Sequence, residues 1–179
     1  MARFSTLRTI GGFIAAVIKR FSGRRFGKVS LESIYNYLKV NDRWATSGQP
    51  EADEFDLIKA AGYDCVINLA PTSVLENSLQ SEAEIVTDLG MEYLHLPVDF
   101  ARPSEQKFAQ FVQAMNQRQT QKVWVHCAAN MRVSAFTYRY HVTYLGEPPV
   151  LAQQRLHKIW HPKGVWKRFI EKASVKHKQ

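Results

Sequence analysis

The stretch Val123-Trp-Val-His-Cys-Ala-Ala-Asn-Met-Arg132 constrains the fold of this chain more than any other. A short apolar strand runs there directly into a histidine and a cysteine, and small or uncharged residues lead on to an arginine. If a helix begins at Met131, the backbone N–H groups of 128–132 can converge on one point, where the helix dipole adds positive potential. The stretch therefore predicts an α/β fold with an anion-binding loop between a strand and a helix.

Cys127 lies at the start of this loop. The positive field of the loop and helix favours the thiolate, which is the nucleophilic form of cysteine. Arg132 supplies a planar fork that can hold two oxygens of one anion. We therefore predict that Cys127 is a nucleophile. The predicted phosphate-binding residues are Ala128, Ala129, Asn130, Met131 and Arg132. Cys65 lies in an apolar run, and we expect it to be only a small buried hydrophobic residue.

The pattern His126-Cys127, a loop, and Arg132 resembles the signature of the cysteine-dependent protein tyrosine and dual-specificity phosphatases. That signature has five residues between cysteine and arginine, whereas four stand here. The shorter Cys-x4-Arg loop resembles a bacterial phosphatase-like family associated with β-lactamase-type hydrolases. In that family, Gly-Gln-Pro and Val-Ile-Asn-Leu segments precede the loop. Gly48-Gln49-Pro50 and Val66-Ile67-Asn68-Leu69 occur here in that order, so the similarity covers residues 40–145.

The loop departs from the pattern of that family at two positions. Asn130 stands where the family has glycine, and Val133 replaces the hydroxyl residue that commonly follows the arginine. Asparagine is the best substitute for glycine where φ must be positive, so we expect the loop to close with Asn130. We assign supporting roles to Ser134 and to His126, which we expect to orient the loop through backbone hydrogen bonds.

The resemblance implies a phosphoric monoester hydrolase that works through a phosphocysteine intermediate on Cys127. Arg132 and the loop amides would hold the phosphate oxygens, and an acid would protonate the leaving oxygen. Asp99 lies on a loop comparable to the one that carries this acid in the family, and Glu105 is the reserve candidate. A phosphorylated protein or small molecule is the implied partner. No metal and no cofactor are expected.

Two other interpretations stay open. Rhodanese-like sulfurtransferases also place a cysteine after a strand, use a loop of this length and need no general acid. A catalytically weak phosphate-binding module is the other interpretation, because the loop lacks the glycine and the hydroxyl. The upstream Gly48-Gln49-Pro50 and Val66-Ile67-Asn68-Leu69 segments, together with Asp99, favour the phosphatase over the sulfurtransferase.

The rest of the chain alternates between short apolar runs and amphipathic stretches. We predict strands at 43–46, 64–69, 92–97 and 122–126, helices at 51–61, 77–89, 104–117 and 150–160, and a short helix or turn at 30–38. Strands separated by helices indicate βαβ units. The expected fold is a single α/β domain, in which helices flank a central, mostly parallel sheet of four to five strands as in tyrosine phosphatases. Its ligands should bind at the carboxyl ends of the strands.

Length and cysteine content bound the class of protein. A chain of 179 residues suits one domain with a proper core, and we place a phosphatase-like domain with a basic helical C-terminal end at 29–179. Two cysteines without a Cys-x-x-Cys pair exclude a disulfide framework and a cysteine-rich zinc site. A working thiolate must stay reduced, so we expect a cytoplasmic protein.

Residues 1–28 form a basic amphipathic segment. They carry seven Lys and Arg and no acid, whereas 29–154 carry nine bases and fifteen acids. Apolar residues recur at helical spacing at 7, 10, 14, 17, 18 and 21, but the run is too short to span a bilayer. We expect an interfacial helix on an anionic membrane surface, which would make the protein peripheral to the membrane, and no nucleic-acid partner. A solvated tail and an organellar transit peptide are the alternatives.

Overall fold

A five-stranded sheet forms the centre of the protein, which we describe from a computed structural model covering residues 2–22, 30–73 and 78–176. The strands are β1 Leu38–Asn41, β2 Trp44–Ser47, β3 Cys65–Asn68, β4 Glu92–His95 and β5 Val123–His126. Their order in the sheet is β1-β2-β5-β3-β4, with β1 antiparallel to β2 and the other neighbours parallel. The predicted single-domain α/β fold with a mostly parallel sheet is confirmed.

Seven helices accompany the sheet among the described residues. They are α1 Ala2–Ser22, α2 Glu54–Ala60, α3 Glu82–Asp88, α4 Glu105–Asn116, α5 Met131–Tyr144, α6 Pro149–Ile159 and α7 Gly164–Lys176. Helices α4 to α7 pack on one face of the sheet, and α2 and α3 pack on the other. The central strands are buried on both faces, which explains their continuous apolar sequences.

The alternation of side chains along β5 shows how one strand serves both cores. Val123 and Val125 point into the core that contains α4 and α5, whereas Trp124 points into the core that contains α2 and α3. Cys65 is buried in β3 within the first of these cores, as expected for a small hydrophobe.

Local signals explain where several helices begin and end. The Ser104 hydroxyl accepts a hydrogen bond from the N–H of Lys107 at 3.2 Å and so caps α4, as predicted from its position. Gly62 and Gly90 follow α2 and α3 with φ of 81° and 70°. Both helices therefore end just before a residue that accepts the left-handed conformation without strain.

The prediction for residues 30–38 was wrong in part. A short 3-10 helix covers Leu31–Ser33, but Leu38 already begins β1, which pairs with β2 across a tight turn. This edge strand is specified by its partner and not by its own sequence. Helix α3 is also shorter than the predicted 77–89, and the beginning of that prediction lies outside the described residues.

Parallel pairing brings three sequence segments to one edge of the sheet. Ser47 and Asn68 both pair with His126, so β2, β3 and β5 end side by side. The Gly48-Gln49-Pro50 segment and the loop that begins at Cys127 therefore leave the sheet next to each other.

Candidate active site

The loop at 127–132 has the shape that the sequence predicts. Asn130 adopts the left-handed conformation, with φ 62° and ψ 2°, and α5 begins at Met131. The Asn130 side chain is buried, and its Nδ2 donates to the Asn36 carbonyl at 2.8 Å and to the Thr46 hydroxyl at 3.0 Å. Asparagine thus supplies the backbone conformation of a glycine and also fixes the loop to its surroundings.

Two carbonyl groups of the loop are held from the outside. The Ala128 carbonyl accepts from the N–H of Gln49 at 3.2 Å, and the Ala129 carbonyl accepts from Nδ2 of Asn36 at 3.1 Å. In a trans peptide the N–H points opposite to the C=O of the same unit. The N–H of Ala129 therefore points away from Gln49.

A pocket of about 260 Å³ lies over the loop. The loop contributes Cys127, Ala128, Ala129, Met131 and Arg132 to its lining, so the structure brings these predicted residues together. The remaining lining residues are Phe100 and, from α1, Thr9, Ile10 and Phe13. The guanidinium carbon of Arg132 lies 5.1 Å from the centre of the Phe100 ring, which forms one wall.

A buried carboxylate behind the loop joins the three motifs of the sequence. Glu82 at the start of α3 accepts hydrogen bonds from Gln49 Nε2 at 2.5 Å and from Asn68 Nδ2 at 3.0 Å. Its Oε1 also lies 2.9 Å from Nε2 of His126. We predicted backbone partners for His126, but the partner that the structure shows for this nitrogen is the Glu82 carboxylate.

The environment of Glu82 keeps it ionised. Burial alone would raise the pKa of this carboxyl group, but the charge of His126 and the hydrogen bonds from His126 and Gln49 hold the pKa below its ordinary value. The sequence interpretation missed Glu82, because an acid in the first turn of a helix is common for dipole reasons alone. Nothing in the local sequence distinguishes it from Glu84, which is exposed.

Removing the Glu82 carboxylate should destabilise the protein strongly. We expect Glu82→Ala to lower the free energy of unfolding by about 3–5 kcal/mol, because it leaves several buried donors without an acceptor. Glu84→Ala in the same helix turn is the matched control and should change stability by less than about 0.5 kcal/mol. Urea unfolding monitored by tryptophan fluorescence measures both variants, and equal stabilities would show that the buried network is dispensable.

The effect of Glu82 should also depend on pH in one direction. Its folded-state pKa is lowered from 4.5, so its contribution is fully present above that value and is lost as pH falls through the folded-state pKa. The difference in stability between the wild type and Glu82→Ala should therefore shrink below pH 4.5.

The structure places the predicted acid Asp99 beside the pocket, but not among its described lining residues. Its half-exposed carboxylate accepts from the N–H of Ala101 at 2.8 Å and from Nε of Arg102 at 3.1 Å. Both hydrogen bonds lower the pKa of Asp99, and the one from Ala101 has the larger effect. Its neighbour in the chain, Phe100, does line the pocket. Its catalytic role stays a prediction.

The reserve acid Glu105 is engaged elsewhere. Its carboxylate accepts from both terminal nitrogens of Arg139, at 3.0 and 2.9 Å, and from Lys172 at 2.9 Å. The hydrogen bonds from Arg139, followed by those from Lys172, lower the pKa of Glu105 to about 2. Arg139 and Lys172 are not among the described residues that line the pocket, so these contacts hold Glu105 away from the position that the leaving-group acid needs.

Ser134 supports the start of α5. Its hydroxyl donates to the Met131 carbonyl at 3.0 Å and accepts from the indole N–H of Trp160 at 3.1 Å. The hydroxyl thus ties the first turn of the helix to the end of α6. Val133 is fully buried in the core and offers no polar atom to the loop.

Tyr35 and Gly48 form a support that the sequence interpretation missed. The N–H of Gly48 donates to the Tyr35 carbonyl at 2.7 Å, and a Cβ at Gly48 would lie 2.4 Å from the Tyr35 ring. Only glycine fits at this contact. Burial, followed by the charge of Cys127, raises the pKa of Tyr35, so this phenol stays protonated and acts as a donor.

The fold and the loop are those of the tyrosine and dual-specificity phosphatase superfamily. The model of one such family, described as "DSP-PTPase phosphatase fused to NAD+ Kinase", matches residues 26–159. This range is well over half of the chain, which therefore belongs to that family. The phosphatase class that we inferred from the sequence is confirmed by this match.

Individual proteins agree with the family assignment. A DUF442 protein from Shewanella putrefaciens CN-32 is 33% identical with a TM-score of 0.73, covering 82% of this chain and 95% of its own. A beta-lactamase hydrolase-like protein of Xylella fastidiosa is 33% identical over 95 residues, which are 52% of this chain and 22% of that protein. The chain thus spans about a fifth of that curated relative.

A more distant structure shows the same fold. The core catalytic domain of the PP-IP phosphatase SIW14 from S. cerevisiae has a TM-score of 0.65 at 12% identity, over 77% of this chain and 85% of that one. At this identity the likeness concerns the fold alone.

Proposed function

We propose that the protein is a phosphoric monoester hydrolase that forms a phosphocysteine at Cys127. The observation that carries the proposal is the position of Cys127 and Arg132 at the two ends of one closed loop, where both line the same pocket. The start of α5 at Met131 adds the positive end of a helix dipole to that pocket. Membership of a phosphatase family supports the same chemistry.

In the first step, the Cys127 thiolate attacks phosphorus and forms an S–P bond while the ester P–O bond breaks. Arg132 holds two of the non-bridging oxygens, and the loop amides hold the charge that these oxygens carry in the transition state. The leaving oxygen takes its proton from Asp99, after the loop at 98–103 moves toward the pocket.

In the second step, water attacks phosphorus, the S–P bond breaks, and inorganic phosphate leaves with Cys127 again as thiolate. Asp99, now ionised, accepts the proton of the attacking water. Val133 offers no hydroxyl to the departing sulfur, and the Ser134 hydroxyl is already bonded to Met131 and Trp160. We therefore expect breakdown of the phosphocysteine to be the slower step.

The test is to measure p-nitrophenyl phosphate hydrolysis and thiosulfate:cyanide sulfur transfer on the same preparation. Acid quenching during p-nitrophenyl phosphate turnover, followed by peptide mass spectrometry, should trap a phosphoryl group on the peptide that contains Cys127. Thiocyanate formation with a persulfide on Cys127, and no phosphate release, would assign the protein to the sulfurtransferases instead. Phosphate binding without turnover would show that the protein is a phosphate-binding module and not an enzyme.

The role of Asp99 can be tested through the leaving group. Asp99→Asn should slow hydrolysis of an alkyl phosphate by about 10²-fold or more and that of p-nitrophenyl phosphate far less, because only a poor leaving group needs protonation. The rate for the alkyl phosphate should fall as pH rises through the lowered pKa of Asp99, since the acid acts in its protonated form. Glu105→Gln is the control, and equal slowing of both substrates by Asp99→Asn would indicate a structural role.

A further inference from the structure

Helix α1 packs on the domain through its polar and small residues. The Thr9 side chain is fully buried, its hydroxyl donates to the Ile159 carbonyl at 2.5 Å, and its carbonyl accepts from the Tyr35 hydroxyl. One turn earlier, the Ser5 hydroxyl lies 2.8 Å from Nδ1 of His161. These contacts seat the helix against α6 and beside the catalytic loop.

A glycine in α1 allows the helix to lie close to the domain. A Cβ at Gly12 would lie 2.7 Å from Cε2 of Tyr35, whereas a Cβ at Gly11 would meet nothing within 4 Å. The Tyr35 ring is held on its other side by Gly48 and cannot easily move away. Gly12 therefore lets α1 approach the pocket, and this explains a glycine that costs helix stability.

The opposite face of α1 is apolar and faces outward. Its large residues are Leu7, Ile10, Ile14 and Ile18, which are 63%, 47%, 54% and 61% exposed. Their spacing of three and four places them in one stripe along the helix, which we call the outer stripe. A helix of a globular protein normally buries its apolar face. The reversed orientation marks the outer stripe as a binding surface.

The outer stripe reaches the mouth of the catalytic pocket. Ile10 belongs to the stripe and also lines the pocket, and Phe100 on the other wall is 38% exposed. The walls above the loop are apolar through Ile10, Phe13 and Phe100, whereas the floor holds Cys127 and Arg132. A ligand that suits this pocket has a phosphate at one end and apolar surroundings at the other.

The charge of the N-terminal segment identifies the occupant of the outer stripe. Residues 1–28 contain seven Lys and Arg and no acid, while 29–154 contain nine bases and fifteen acids. Such a segment is attracted to an anionic lipid surface. Residues 29–179 carry seventeen bases and sixteen acids, so the rest of the protein is nearly neutral and the segment supplies most of the positive charge. Among the described residues, no helix combines the length and apolar character needed to cross a bilayer. The helix would therefore lie in the interface.

We infer that the outer stripe binds an anionic membrane and that the substrate is the phosphomonoester headgroup of a membrane lipid. This inference rests on the proposed phosphatase activity. When the protein is bound in this way, the mouth of its pocket lies at the level of the lipid headgroups. The phosphate reaches Cys127 and Arg132, while the glycerol and the acyl chains stay among Ile10, Phe100 and the bilayer.

The experiment uses the full chain and phosphatidic acid in vesicles of phosphatidylcholine, with and without phosphatidylglycerol. Glycerol 3-phosphate has the same primary alkyl leaving group without the lipid, and phosphotyrosine represents a soluble protein-type substrate. Phosphate release should be at least about tenfold more efficient for phosphatidic acid in anionic vesicles than for either soluble compound. Salt at 1 M, where the Debye length is about 3 Å, should remove the advantage of the anionic vesicles.

Two pairs of variants separate the outer stripe from the seating of α1. Ile14→Gln should reduce vesicle co-sedimentation and phosphatidic acid turnover about tenfold relative to glycerol 3-phosphate turnover. Leu145→Gln, at a residue that is likewise 54% exposed but lies at the end of α5, should change neither. Gly12→Ala should lower phosphatidic acid turnover by disturbing the wall of the pocket, whereas Gly11→Ala should not.

The outcomes distinguish this inference from the proposed function. Turnover of p-nitrophenyl phosphate without any preference for phosphatidic acid would overturn the lipid substrate and leave the phosphatase intact. A preference for phosphotyrosine would assign a phosphoprotein substrate, and failure to bind vesicles would assign the outer stripe to a protein partner. If the wild-type protein shows no phosphatase activity on any of these substrates, both proposals are overturned together.

Discussion

Cys127→Ser is expected to abolish hydrolysis of p-nitrophenyl phosphate while inorganic phosphate still binds. The hydroxyl of serine is not ionised near neutral pH and is a far weaker nucleophile than a thiolate, so the rate should fall by on the order of 10⁴-fold or more. Phosphate binding depends on the loop amides and on Arg132, which the substitution leaves in place. Steady-state kinetics and isothermal titration with phosphate measure the two properties separately.

Cys65→Ala provides the matched control, because it removes the other cysteine of the chain without adding a hydroxyl to the core. Cys65 is buried in β3, and burial is the main reason that its pKa is raised to about 12. A thiol of this kind does not act as a nucleophile near neutral pH. Normal turnover in Cys127→Ser, or its loss in Cys65→Ala while the protein stays folded, would exclude the mechanism.

Arg132→Lys is expected to be almost as severe. Arginine presents a planar fork that can hold two oxygens at once, whereas lysine offers a single compact charge on a flexible stem. The loss should appear both in phosphate affinity and in kcat, with a total fall in kcat/KM of about 10²–10³-fold. The Arg132 side chain is buried beside the Phe100 ring. Lysine has no planar group to pack on that ring, so the charge of the side chain will also be held less firmly in place.

Arg139→Lys is the control for this substitution, because Arg139 is buried in the same helix and pairs with Glu105 away from the pocket. It should reduce stability and leave phosphate affinity unchanged. Near-normal kinetics in Arg132→Lys would show that this guanidinium does not face the anion.

The sequence predicted the parts of the molecule that depend on local physics. The apolar run in 64–69 predicted a strand buried on both faces, and β3 is buried throughout. Asn130 was expected at positive φ for its own steric reasons, and Ser104 was expected to cap a helix. The helices between the strands predicted a mostly parallel sheet, and parallel strands place the loop at the carboxyl edge. The order of the strands in the sheet was not predicted.

The parts that could not be predicted depend on distant contacts. Glu82 has the sequence context of an exposed acid. It is buried because it contacts Asn68 at the end of β3 and His126 at the end of β5. The strand β1 exists because β2 pairs with it. The spacing of α1 predicted an amphipathic helix, but only the contact between Gly12 and Tyr35 decides which face meets the domain.

The carboxylate of Glu82 also determines how the loop at 127–132 can lose its structure. It connects Gln49, Asn68 and His126, which lie 33, 14 and 44 positions away along the chain. Helix α3 has only seven residues and little stability of its own. When that helix opens, three segments lose a common acceptor at the same moment, and the loop loses its support from behind. We therefore expect α3 and the loop to open together and to exchange their amide hydrogens as one cooperative unit.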